Sequence, residues 1–525
     1  MQIEHATIAE LQQALADRRM TASALTRAYL SRIAAYDRAG PCLNAVREVN
    51  PDALAIAAAF DRVKPSPEQP LAGIPILVKD NIATGDQQHT TAGSLALAEA
   101  RAVRDATLVA RLRAAGAVIL GKANLTEFAN ILAIDMPSGY SSLGGQVRNP
   151  YAPALDASGV PIVSPGGSSS GSAVAVAAGL CAAAIGTETS GSLLSPATQN
   201  GVVTLKPTVG LISRAGILPI AHSQDTAGPL TRSVRDAAIL MNVLAAPDPR
   251  DPATLAQERP ADYTSFLDAD GLNGVRIGVP SDPGDPANDV YFDKLGPRAS
   301  AVIGGVIATL EAHGAVIIRA NIPTAGRIAG SATDMDVLNT NPASPTRYQP
   351  ARRPIVFVYE LKHDLNAYLD LWLDKSPIRS LADIIAFNDA NAGRALRFGQ
   401  DLFRAAEATR GDLCEPEYHR ARAADLRASR TQGLDAYMDS HRLDAVLFPG
   451  AAGAAIAAKA GYPSVQVPAG FIGGGEIPDV PFGATFAGRA WSEPLLLRIA
   501  YAFEQATQAR RPPPGLPPLG PPGAA

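Results

Sequence analysis

Two Gly/Ser-rich loops, separated by a short Ala/Val run, constrain this chain more than any other feature. The first is Pro165-Gly166-Gly167-Ser168-Ser169-Ser170-Gly171-Ser172 and the second is Gly186-Thr187-Glu188-Thr189-Ser190-Gly191-Ser192. Segments so rich in glycine let the backbone adopt positive φ and approach a ligand closely. The run between them reads as a short helix. Upstream, Lys79 ends the apolar run Ile74-Pro75-Ile76-Leu77-Val78. Hydroxyls, N–H groups and an amine are the parts from which a serine hydrolase builds a nucleophile, a proton relay and an oxyanion hole.

The chain has 525 residues, enough for a large core. At about 150 residues per domain it has room for three or four domains, although single α/β domains also run long. Hydrophobic residues make up 47% and charged residues 18%, which describes an ordinary globular protein. A net charge of −4 leaves no electrostatic footprint for nucleic acid or an anionic membrane. Cys42, Cys181 and Cys414 are far apart, so neither a disulfide framework nor a zinc site is expected. Free thiols fit a reducing compartment. The start Met-Gln-Ile-Glu-His has no basic n-region or apolar h-region, and the expected location is cytoplasmic. The longest apolar stretch, Ala173 to Ile185, is too short for a membrane span of about 20 residues.

Along the chain, Thr7-Ile8-Ala9-Glu10 is a capping box opening a helix. A second helix begins after Thr21, with Leu25, Tyr29, Ile33 and Tyr36 on its packed face. Residues 71–81 read as a buried strand with a polar end. Thr107 to Gly116 reads as an amphipathic helix with a glycine stop, followed by a strand from Ala117 to Gly121. The same order recurs at Ala301–His313 and Gly314–Ile318. Alternation of strand and helix argues for a layered α/β fold. Residues 1–60 form N-terminal helices packing on a core at 61–250. Residues 251–440 form a helical and βα section shaping one side of a cleft, and 441–508 return to the core sheet and end in a closing helix. The Pro/Gly-rich tail, 509–525, is expected to be extended or disordered, without a core of its own.

Each candidate residue also has a structural reading. Burial at the end of an apolar strand lowers a lysine pKa towards neutrality and makes Lys79 a base, but a strand-end lysine can also snorkel to solvent. The turn Thr189-Ser190-Gly191-Ser192 can converge N–H groups on one oxygen, or be a surface loop. Ser168 to Ser170 can cap the helix that follows. Gly167-Ser168-Ser169-Ser170-Gly171 also matches G-x-S-x-G, the nucleophile elbow that would make Ser169 an esterase nucleophile. That elbow needs a strand running into it, and the two prolines of Pro161-Ile162-Val163-Ser164-Pro165 argue against one. The seven histidines show no metal-ligand spacing, so no metal and no cofactor are expected. His222, beside Ser223-Gln224-Asp225, reads as a structural histidine near the cleft. Gln224, Phe357 and Tyr359 are candidates for substrate contact, and Phe387 is a further cleft candidate; core packing is the alternative for the aromatics.

Taken together, these segments resemble the amidase signature family. The resemblance rests on Gly73-Ile74-Pro75-Ile76-Leu77-Val78-Lys79-Asp80, on the two Gly/Ser segments, and on Gly121-Lys122-Ala123-Asn124-Leu125-Thr126-Glu127-Phe128. Lys206-Pro207-Thr208-Val209-Gly210-Leu211 and Asp225-Thr226-Ala227-Gly228-Pro229 support it, as do Gly461-Tyr462-Pro463 and Pro481-Phe482-Gly483. Gly144-Gly145-Gln146-Val147-Arg148-Asn149-Pro150-Tyr151 and Ala490-Trp491-Ser492-Glu493 look most like the peptide amidase branch, which removes the C-terminal amide of peptides.

The resemblance implies an α/β fold with a central, mixed, twisted sheet covered by helices on both faces. It implies Ser192 as nucleophile, Ser168 as bridging serine after a cis peptide bond from Gly167, and Lys79 as base. The N–H groups of Thr189, Ser190, Gly191 and Ser192 become the oxyanion donors, and Gly167 lines the substrate site. The expected substrate is a peptide C-terminal amide or a small aryl or alkyl amide, taken by a monomer or homodimer. Many family members have glycine at position 190, an Ile-Arg pair at 193–194 and aspartate at 188. Here these are Ser190, Leu193-Leu194 and Glu188, changes that bear on the substrate and leave the catalytic groups intact. The alternatives are an amidotransferase A-type subunit that works with partners, and an esterase or α/β-hydrolase using Ser169.

Overall fold

The structure, a computed structural model, describes residues 1–519 apart from 64–65, 67, 287–288, 294, 330–354, 374–375 and 475–477. Among the described residues eleven strands form one sheet: β1 (Val46–Val49), β2 (Pro75–Lys79), β3 (Val118–Ala123), β6 (Ala183–Glu188), β7 (Val203–Lys206), β8 (Thr226–Thr231), β9 (Arg276–Val279), β10 (Val316–Arg319), β11 (Ala445–Pro449), β12 (Ser464–Phe471) and β13 (Pro481–Ala487). Two short strands between β3 and β6, β4 (Tyr140–Ser141) and β5 (Gly145–Gln146), pair separately as a hairpin. The order across the sheet is β1-β3-β2-β6-β8-β7-β12-β13-β11-β9-β10.

β3, β2 and β6 run parallel, as do β11, β9 and β10, and the remaining pairings are antiparallel. The sheet is therefore mixed, and helices cover its faces. Every residue of β2, β3, β6 and β8 is buried. Parallel strands covered on both faces need such continuous apolar runs. The helix Ser170–Ala177, entirely buried and made of Ser, Gly, Ala and Val, packs against β6. Among the described residues no helix is long and apolar enough to cross a membrane.

Local signals act where the sequence places them. Thr7 and Glu10 close a reciprocal capping box on the helix Ile8–Ala16. Thr21 caps Ala22–Arg32, and Leu25, Tyr29, Ile33 and Tyr36 are all buried. The helix Thr107–Ala114 stops before Gly116 at φ +88° and feeds β3. The helix Pro297–Ala312 leads in the same way to β10.

One expectation needs correction. The second Gly/Ser segment is not all loop: Gly186, Thr187 and Glu188 finish β6, held by pairing with Gly228, Ala227 and Thr226 of β8. Only Thr189 to Ser192 turns away from the sheet. The Pro-rich tail is extended over its described part, without helix or strand, and hydrogen bonds tie it to the core. Arg32 Nη1 and Tyr36 OH donate to Pro517 O at 3.0 and 2.7 Å, Tyr151 OH donates to Arg511 O at 2.6 Å, and Leu516 packs on the core. Residues 520–525 lie outside the described residues.

Candidate active site

β2 and β6 are parallel neighbours, with Ile76 opposite Ala183 and Val78 opposite Ile185. Their carboxyl ends thus reach the same edge of the sheet, the edge at which open α/β folds bind ligands. Lys79 closes β2 there, and the turn Thr189–Ser192 leaves β6 beside it. The first Gly/Ser segment arrives just before the helix Ser170–Ala177. The Ser169 N–H donates to Ser192 O at 3.1 Å, and this main-chain bond ties the two serine segments together. The Gly167–Ser168 peptide bond is cis.

Lys79 is fully buried, and its Nζ lies 2.8 Å from Ser168 Oγ, 2.9 Å from Thr187 Oγ1 and 3.3 Å from Thr187 O. Thr187 Oγ1 also accepts from Asn81 Nδ2 at 3.1 Å. Burial pulls the Lys79 pKa down to about 7, against the opposing pull of the Asp225 and Glu188 carboxylates. In the neutral amine, two N–H groups serve the two oxygens of Thr187. That leaves the lone pair for the Ser168 hydroxyl. A lowered pKa does not by itself single out Lys79, because burial also brings Lys122 and Lys206 down to about 8. Those two amines hold carbonyl oxygens and, for Lys122, Thr90 Oγ1. Lys79 differs in meeting a serine hydroxyl at the sheet edge.

Ser168 is fully buried, whereas Ser192 keeps a small exposure of 7%, and its hydroxyl makes no hydrogen bond among the described residues. Two carboxylates hold the turn between β6 and the helix Leu194–Asn200. Glu188 Oε2 accepts from the N–H of Leu193 and Leu194 at 2.7 and 3.1 Å. Asp225 accepts from Thr189 Oγ1 and from the N–H of Ile220 and Ala221. Gly191 takes φ +83°. Among the described residues, none of the N–H groups of Thr189, Ser190, Gly191 and Ser192 donates to the protein. Successive N–H groups without acceptors can receive an anionic oxygen where they converge.

The other candidates fall in several places. Gln224 is buried, and its Nε2 donates to Thr189 O at 3.2 Å, so it touches the turn directly. Gly167 is pressed against Thr126 and Ser138. Phe357 is half-buried against the core. Tyr359 clusters with Val356 and Tyr418 and donates its hydroxyl to Glu417. Phe387 packs partly buried against the main core. Ser169 is unsuited to an elbow: residues 162–166 form no strand, and its fully buried Oγ donates to Thr187 O at 2.9 Å. Ser169 does occupy the N-cap position of the helix, but it makes no side-chain cap.

Asp225, Glu188, Thr187 and Asn81 were not marked as site residues from sequence. Position is the available signal for three of them: Asn81 follows the Lys79 strand, and Thr187 and Glu188 lie within the second Gly/Ser segment, whereas Asp225 is remote from both in sequence.

The family described as Amidase matches residues 24–497. The chain is 40% identical over 521 residues to a probable amidase of Arabidopsis thaliana, covering 97% of this chain and 92% of that one. It is 31% identical over 548 residues to the A subunit of the glutamyl-tRNA(Gln) amidotransferase of Chloroflexus aurantiacus, covering 97% and 98%. The X-ray structure of native peptide amidase from Stenotrophomonas maltophilia aligns with a TM-score of 0.83 at 44% identity, covering 97% of this chain and 98% of that one.

Proposed function

The chain belongs to the amidase family and is an amide hydrolase, and from that premise we propose that it cleaves peptide amides through an acyl-enzyme on Ser192. The observation that carries this reading is the Lys79 Nζ–Ser168 Oγ contact of 2.8 Å beside a turn with four N–H groups lacking acceptors. Neutral Lys79 takes the Ser168 proton as Ser168 takes that of Ser192, and Ser192 Oγ attacks the amide carbon. The developing oxyanion is received by the N–H groups of the turn. The relay then returns a proton to the leaving nitrogen, releasing ammonia or amine. Water, activated by the same relay, attacks the ester carbon and frees Ser192.

Likeness to the Stenotrophomonas peptide amidase supports the substrate class, and the Gln224 contact with Thr189 O supports a role for Gln224 in binding the acyl portion. The test is release of ammonia from peptide amides and aliphatic amides, and of aryl amine from anilides, by wild type, Ser192→Ala and Ser169→Ala. Turnover of peptide amides by wild type and Ser169→Ala, lost in Ser192→Ala, is expected. Preference for small amides would replace the substrate class. Absence of turnover by folded wild-type protein alone would favour an amidotransferase-type subunit.

A further inference from the structure

Two histidines and a carboxylate meet on the surface behind the oxyanion turn. His222 lies in the loop that carries Gln224 and Asp225, while His363 and Asp364 lie on the helix Ile355–Trp372. One ligand atom from each of the three lies within 4.8 Å of the other two. We propose that His222, His363 and Asp364 form a binding site for a divalent transition-metal ion such as zinc, joining this loop to the helix.

The geometry supports the proposal. Asp364 Oδ1 lies 2.8 Å from His363 Nδ1, and Oδ2 lies 2.9 Å from His222 Nδ1. Neighbouring tetrahedral ligands around an ion with bonds of roughly 2.0–2.1 Å are separated by about 3.3–3.4 Å. The two histidine–carboxylate pairs are somewhat closer than this and all three donors lie within 4.8 Å, so a small opening of the cluster would admit an ion. Imidazole with carboxylate is a donor set that first-row transition ions select. The ion would take the place of the protons through which both Nδ1 atoms now hold Asp364, with each histidine keeping its proton on Nε2.

The carboxylate is fixed, because the His222 N–H donates to Asp364 Oδ2 at 2.8 Å. The two histidine side chains are 45% and 46% exposed, leaving room for the ion to enter and for water ligands. Glu360, one turn earlier on the helix, brings a second carboxylate 3.6 Å from His222 Nδ1 and accepts from the Ser223 N–H. The nearby Arg214 guanidinium is held by Asp251 and by the His222 carbonyl oxygen, and it bonds neither oxygen of Asp364.

The test is zinc titration of the tag-free full chain in competition with a chromophoric chelator, together with thermal unfolding with and without zinc. Wild type should bind one equivalent and unfold at higher temperature with zinc. His363→Ala and His222→Ala should each weaken binding on the order of tenfold or more and abolish the thermal shift. The double variant Cys42→Ser/Cys414→Ser should bind like wild type. His363 touches Asp364 from the surface, so its truncation leaves the core intact, and circular dichroism checks this. Equal zinc affinity in wild type and the His222→Ala/His363→Ala variant, or loss of binding in the cysteine variant, would overturn the site.

Discussion

A lysine amine in water keeps its proton to about pH 10.4. Lys79 has no solvent, and burial brings it to about 7. Below that pH the ammonium has no lone pair to take the Ser168 proton, so kcat/KM should rise with pH through a limb near 7. Lys79→Ala should lower kcat on the order of 10²–10⁴-fold and remove the limb, as steady-state kinetics across pH will show. Asp225 supplies the converse test. Its carboxylate raises the Lys79 pKa and also anchors Thr189. Asp225→Asn should therefore move the limb to lower pH while reducing kcat about 10- to 100-fold with KM little changed. A purely structural role would leave the limb in place. Lys79 was legible because few lysines end so apolar a strand. Asp225 was not, because the groups that tie it to the site, Thr189 and Lys79, come from two other segments and no local pattern records them.

The helix Ser170–Ala177 and the turn after β6 set the serines in place. At Gly171 an added Cβ would meet the backbone oxygens of Ala45 and Asn124, the latter at 2.5 Å. Neither backbone atom can give way without distorting β1 or the end of β3. Gly171→Ala should therefore destabilise the protein by about 3 kcal/mol or more, read as a fall in the urea midpoint. Caps and amphipathic stripes made the helices at Ile8–Ala16 and Thr107–Ala114 readable. The stretch from Ala173 to Ile185 was harder, because a continuous apolar run has no period to separate helix from strand. The chain divides it at Gly179, φ +64°, into a buried helix and β6.

Across the whole molecule, β12 sits between β7 and β13, and β11 between β13 and β9. The α/β layering follows from alternating patterns, but such an order depends on pairings between remote segments that no local window contains. The same holds for His222 meeting His363 and Asp364, and for the tail. Deleting residues 510–525 removes the acceptors Arg511 O and Pro517 O from Tyr151, Tyr36 and Arg32. At about 1 kcal/mol for each bond, the loss should be about 3 kcal/mol, measured by denaturant unfolding. The most direct test of the mechanism is to quench turnover of a slow amide or ester substrate and locate the acyl group by peptide mass spectrometry. The prediction is an acyl adduct on the peptide carrying Ser192, absent in Ser192→Ala. An adduct on Ser168 or Ser169, or turnover that persists in Ser192→Ala, would contradict it.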